Sequence, residues 1–379
     1  MDFALNKHEQ DIIKAAREFA QREFPNVAEQ CDRNEEFNSG LWRKACDLGF
    51  VGVFVDEEYG GAGYGFQEHC FIAEEFCAAD GGLGAAILAN TFGGTLLHLF
   101  GTNEQKALFL PALVSGETTL ALAIPESRAG SDILSLSSTA VKDGDSWVVH
   151  GDKTHVFGGH LAGHMLVLAL TNPDSPRHER RYSFLLVPTN IPGIEARKMM
   201  GKLGIRAAET AQVSFSGTRV PADHLIGKEG EGLQELLELY AIIYATIGAM
   251  GVGISRAAYE EGIRYTKQRF AFGVPIFSFP ATKAKLEAMA TMIKAARNLY
   301  SEAAWSIDRG VKDASLSAMA KHYAAQAAVF CADEALQMHG GYGYFEEYRI
   351  QRLYRDAKVI EMWGGGKEID EKMASSALR

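Results

Sequence analysis

The hydrophobic period of this chain changes twice, and those two changes limit its fold more than any other feature. Before about residue 116 apolar residues recur at helical spacing, from Thr118 they alternate in short runs, and after Gly232 the helical spacing returns. In the first part Ile12, Ile13, Ala16, Phe19, Ala20 and Phe24 line one helical face, and Pro25 supplies a stop. A helix over Gln10–Phe24 is expected, followed by helices over Leu41–Leu48, Phe66–Ala79, Gly81–Phe100 and Asn103–Val114. The middle part has β-rich runs at Thr118–Ile124, Ser146–His150, Met165–Leu170, Tyr182–Val187 and Gln212–Phe215, separated by Gly, Asp, Asn and Pro. Long helices then span about 232–270, 281–309, 312–338 and 346–361, as in a bundle. The expected fold class is α+β: an N-terminal helical domain over 1–116, a central antiparallel β domain over 117–229 and a C-terminal four-helix bundle over 230–379.

Composition narrows the function. At 379 residues, 47% hydrophobic and 23% charged, the chain reads as a soluble globular protein of more than one domain. Its net charge of -10, with no long basic run, argues against a nucleic-acid partner. Five cysteines fall in no paired spacing, which suits reduced thiols in the cytoplasm, and no zinc pattern appears, so no metal site is expected. The N-terminus lacks the apolar run of a signal peptide. Gly81–Phe100 carries no charge, yet its five glycines with Asn90 and His98 suit a buried helix pair better than a membrane span, so no membrane partner is expected. The glycine-rich loop Tyr59–Gly65 lacks full dinucleotide spacing and reads as a connector.

Near the C-terminus a charged helical segment runs into Trp363 and three consecutive glycines, Gly364, Gly365 and Gly366, where backbone can approach a ligand closely. Four further stretches stand in order before it. They are Ala123-Ile-Pro-Glu-Ser-Arg-Ala-Gly-Ser-Asp132; Leu203-Gly-Ile-Arg206 with Phe215 and Arg219-Val-Pro221; Lys267-Gln-Arg-Phe-Ala-Phe-Gly273; and Gln337-Met-His-Gly-Gly-Tyr-Gly-Tyr344 with Arg352-Leu-Tyr-Arg-Asp-Ala357. Together they resemble the acyl-CoA dehydrogenase family over essentially the whole chain.

The resemblance implies FAD as cofactor and an acyl-CoA thioester as substrate. A base removes the α proton of the thioester, the β hydrogen leaves as hydride to the flavin, and an electron-transferring flavoprotein takes the electrons. It implies a homo-oligomer, a dimer of dimers, in which Arg269 reaches the FAD of a neighbouring subunit with a donor fork suited to phosphate. Ile124, Ser131, His155, Phe157, Phe272, Gln337, Gly340, Gly341, Gly366 and Glu368 are the other implied cofactor positions. Ser131, Thr91, Tyr244 and Gly365 are the implied substrate positions.

The chain also departs from that pattern. The family holds its base in one of two places, which fall at Gly364 and Ile243, and neither carries a carboxylate. Glu238 lies five residues from Ile243 and so faces elsewhere on a helix, and Glu361 reads as the solvated side of its own. His155 stands where the family has Trp, Phe157 and Gly366 where it has Thr, and Pro280 where it has Gln. Three functions follow. The first is a dehydrogenase of an atypical acyl-CoA, an alicyclic one among the options, whose base has moved, with Thr91 and Tyr244 as catalytic candidates and His155 as a further one. The second is a redox-neutral or oxygen-using flavoenzyme. The third is a non-catalytic or half-site subunit of a hetero-oligomer.

Overall fold

The first helix begins with a reciprocal cap. Asn6 accepts from the Glu9 amide at 2.9 Å and the Glu9 carboxylate accepts from the Asn6 amide at 2.7 Å, which starts α1 (Lys7–Glu23) three residues before the expected Gln10. The computed structural model describes residues 5–366, 369–371 and 373, the side chain of Arg177 excepted. Among these, α2 (Ala28–Asn34), α3 (Ser39–Asp47), α4 (Phe66–Ala79), α5 (Gly81–Ala89), α6 (Phe92–Phe100) and α7 (Asn103–Val114) complete the N-terminal layer. The uncharged stretch is the expected helix pair, broken at Asn90–Thr91.

The middle domain holds β1 (Leu120–Ala123), β2 (Thr139–Asp143), β3 (Ser146–Phe157), β4 (His164–Leu170), β5 (Tyr182–Pro188), β6 (Ile194–Met199), β7 (Thr210–Pro221) and β8 (Leu225–Ile226). Its sheet runs β6-β7-β3-β2-β4-β5-β8, with β1 on β4. The antiparallel expectation is corrected here, because β1 pairs with β4 in parallel from Leu120↔His164 to Ala123↔Val167, and β2 meets β4 in parallel at Thr139↔Leu170. Alternation tells which face a residue takes but is blind to the direction of its neighbour. Three strands went unread: β2 and β6 because much of each is exposed and charged, which hides the alternation, and β8 because it is only two residues long.

The C-terminal layer is α8 (Gly232–Gln268), a hairpin of β9 (Phe270–Ala271) and β10 (Val274–Pro275), α9 (Pro280–Asp308), α10 (Ala314–His339) and α11 (Ile350–Met362). Every residue of α8 from Ala241 to Ser255 is buried, as in a helix with neighbours on all sides. Those neighbours are α9, α10 and α11 of the expected bundle and also α4. Residues 81–100 and 232–268 are long and apolar enough to cross a membrane by composition, and 83% of each window is buried within this fold. Pro280 opens α9, where its fixed φ suits a first helical turn.

Candidate functional site

The middle of α8, the break between α5 and α6, the loop after β1 and the turn after α11 meet around the three glycines. Gly364, Gly365 and Gly366 have φ of 78°, 122° and 75°, in the left-handed range that only glycine adopts without strain. The Tyr244 hydroxyl donates to the Gly364 carbonyl at 2.5 Å. A Cβ added at Gly364 would lie 2.8 Å from Cε1 of Tyr244. The tyrosine ring therefore occupies the space a side chain at 364 would enter. Burial, with Tyr240 and Asp370 adding to it, pushes the Tyr244 hydroxyl well above its ordinary pKa. At neutral pH it is a hydrogen-bond donor and not a base.

Two further contacts set the turn. Ser131 donates its hydroxyl to the Gly365 carbonyl at 3.0 Å, so the implied cofactor loop and the turn touch. Trp363 packs on Phe157 at 4.5 Å between ring centroids and on Phe92 at 5.8 Å. Thr91, next to Phe92, is fully buried, and its hydroxyl donates to the Leu88 carbonyl at 2.7 Å. Its remaining lone pairs can accept a hydrogen bond, but a hydroxyl that keeps its proton does not remove one from carbon. Beside it the buried Asn90 side chain donates to the Ala86 carbonyl at 2.7 Å while its Oδ1 has no donor among the described residues.

The loop carrying Ser131 rests on a buried ion pair. Lys153 Nζ lies 3.0 Å from the Ile124 carbonyl and 2.9 Å from Glu126 Oε1, and Glu126 also accepts from the Ser137 and Ser138 amides. Burial opposes the Glu126 charge, but Lys153 and the serine donors outweigh it and hold the carboxyl at about 2. Burial brings Lys153 down to about 8 against the pull of Glu126. Between Lys153 and Val156 the pairing of β3 with β7 shifts register, and His155 stands exposed there with φ of 53°. Such bulges re-aim side chains, and this one turns His155 to solvent.

A second group surrounds a cleft of about 490 Å³ lined by Tyr265, Arg269, His339, Gly340, Gly341 and Tyr342. The exposed Arg269 guanidinium lies 5.6 Å from the Tyr342 ring centroid and has no carboxylate partner among the described residues. Among the described residues, a Cβ at Gly340 or Gly341 would meet nothing within 4 Å, so these glycines leave open room beside the arginine. Gln337 is exposed at the last turn of α10. Phe272, 96% exposed with φ of 52°, tips the β9–β10 hairpin.

The acids close to the usual base positions are engaged. Glu238 pairs with Lys312 at 3.1 Å, Glu361 pairs with Lys358, and Ile243 is buried. Glu368 lies outside the described residues. Sequence reasoning named Tyr244 but missed its partner, and it missed Trp363 against Phe157 and the buried pair of Lys321 with Asp370 at 2.7 Å. The one available signal for that pair was a lone lysine within the alanine-rich run of α10.

Family models for the N-terminal, middle and C-terminal domains of acyl-CoA dehydrogenase match residues 6–117, 121–218 and 232–378. An acryloyl-CoA reductase (NADH) of Anaerotignum propionicum is 36% identical over 97% of this chain and 94% of its own length. A 3-(aryl)acrylate reductase of Clostridium sporogenes is 34% identical over 99% of both chains. Butyryl-CoA dehydrogenase of Megasphaera elsdenii superposes with a TM-score of 0.95 at 30% identity, covering 100% of both chains.

Proposed function

The chain belongs to the acyl-CoA dehydrogenase family, and on that premise we propose that it is an FAD-dependent oxidoreductase of the Cα–Cβ bond in an atypical acyl-CoA thioester, an alicyclic one foremost, with its proton transfer moved away from the usual base positions. The observation that carries this reading is the pairing of Gly364 with Tyr244. Where the family resemblance implies a carboxylate, this chain holds a buried phenol bonded to the turn.

Oxidation removes a proton from the α carbon and a hydride from the β carbon, leaving a double bond, and bound FAD supplies the hydride acceptor. The residues present fit that cofactor. Arg269, over the open room at Gly340 and Gly341, suits phosphate. Phe157, Trp363 and Ile124 offer apolar surface, and Ser131 a hydroxyl, near the reacting end. Thr91 and the unpartnered Asn90 Oδ1 orient the acyl group or a water that carries the proton. Two similar proteins are named as reductases of acrylates, which supports chemistry at the same bond in either direction. An electron-transferring flavoprotein as redox partner, a dimer of dimers joined through the Arg269 hairpin and a cytoplasmic location complete the proposal.

The purified protein should be yellow and release FAD on denaturation. In D2O, a cyclic acyl-CoA should exchange its α hydrogen, seen by NMR. A colourless protein that FAD does not restore overturns the reading and favours a non-catalytic subunit.

A further inference from the structure

Two deeply buried charges lie next to the glycine turn without touching the Arg269 cleft or the pair beneath Ile124. Lys321, from α10, and Asp370 are 2.7 Å apart and almost wholly excluded from solvent. A buried ion pair is a poor source of stability, since an apolar pair of similar volume often serves as well or better. Its position therefore asks for another explanation.

That position is telling. The amides of Ile369 and Asp370 each donate to the Gly366 carbonyl at 3.2 Å, so whatever holds Asp370 also holds the end of the turn. Lys321 Nζ is 5.5 Å from the Tyr244 ring centroid, and Tyr244 holds the Gly364 carbonyl. Ser131 holds the Gly365 carbonyl. Two of three consecutive carbonyls are thus tied to other elements, α8 and the loop after β1, and the third to the chain's own next turn, whose Asp370 is held by Lys321 of α10. A run of three glycines has the greatest backbone freedom of any tripeptide, so its single conformation must be imposed from outside.

We infer that Lys321 and Asp370 are positioning residues which, with Tyr244, clamp the Gly364–Gly366 turn as a fixed wall of the acyl site and so set the shapes of acyl group it accepts. This rests on the thioester binding against that turn, as proposed above. Loosening the wall relaxes the choice between acyl groups before it abolishes the reaction, because a misplacement of one turn acts on fit at the reacting centre.

The test compares the FAD-loaded wild type with the double variant Lys321→Met/Asp370→Leu, which replaces the pair by apolar groups, and with Tyr244→Phe, which removes one hydroxyl. Hydrogen exchange is followed for the peptide containing Ile369 and Asp370, and kcat and KM are measured for a cyclic and a straight-chain acyl-CoA. The expected result is exchange in that peptide faster by about tenfold, with the rest of the chain unchanged. The ratio of kcat/KM between the two substrates should also move toward one by about tenfold. Wild-type exchange and an unchanged ratio in both variants would overturn the inference. A wild type inert toward every thioester would instead overturn the proposed function, and the exchange measurement would still decide whether the clamp exists.

Discussion

At the residue scale the decisive contact is between a glycine and an aromatic ring. Gly364 has φ of 78° and its missing Cβ would sit 2.8 Å from Tyr244, so any side chain there meets both backbone strain and a ring. Gly364→Ala should destabilise the protein by about 1–3 kcal/mol, read from urea unfolding, and an unchanged midpoint would show that the ring yields freely. For the same reason Gly364→Glu does not simply restore a base, since its carboxylate must first displace Tyr244. Glu126 gives a pH prediction. Its folded pKa of about 2 lies below the ordinary glutamate value of 4.5, so its stabilisation is present above 4.5 and is lost as pH falls toward 2. Glu126→Gln should therefore lose less stability than the wild type between those values. Parallel acid-unfolding curves would contradict the assignment.

At the scale of elements, much was legible because hydrophobic period is a local signal. The helices over Phe66–Ala79 and Asn103–Val114 were read to the residue, and the uncharged stretch was rightly read as a buried pair. The β1–β4 pairing was not legible, since it joins residues about forty positions apart and alternation carries no direction. The start of α1 was missed although Asn6 and Glu9 have capping-box spacing. Removing that cap with Asn6→Ala should cost about 1 kcal/mol of stability, measurable by thermal unfolding, and no loss would mean the first turn frays in solution. In the site, the absence of a carboxylate at Gly364 and Ile243 was visible from the motifs alone. What fills the space was not, because Tyr244 and Gly364 are 120 residues apart and only the fold brings them together.

At the scale of the molecule, three layers meet where the reaction is proposed to occur. The N-terminal layer contributes Thr91 and Phe92, the sheet contributes Ser131 and Phe157, and the bundle contributes Tyr244 and the glycine turn. On the proposed reading, such a site keeps the family's frame and changes only the group that handles the proton, which is how one fold serves several substrates. The most direct test of the account is a single anaerobic turnover. The FAD-loaded protein is mixed with straight-chain, branched and cyclic acyl-CoA thioesters, the visible flavin band is followed, and each thioester is then weighed by mass spectrometry. The account predicts bleaching by a cyclic acyl-CoA with loss of two hydrogens from it, and much slower bleaching by the straight-chain ester. Rapid bleaching by the straight-chain ester alone, or an intact flavin band with every thioester unchanged, would contradict it.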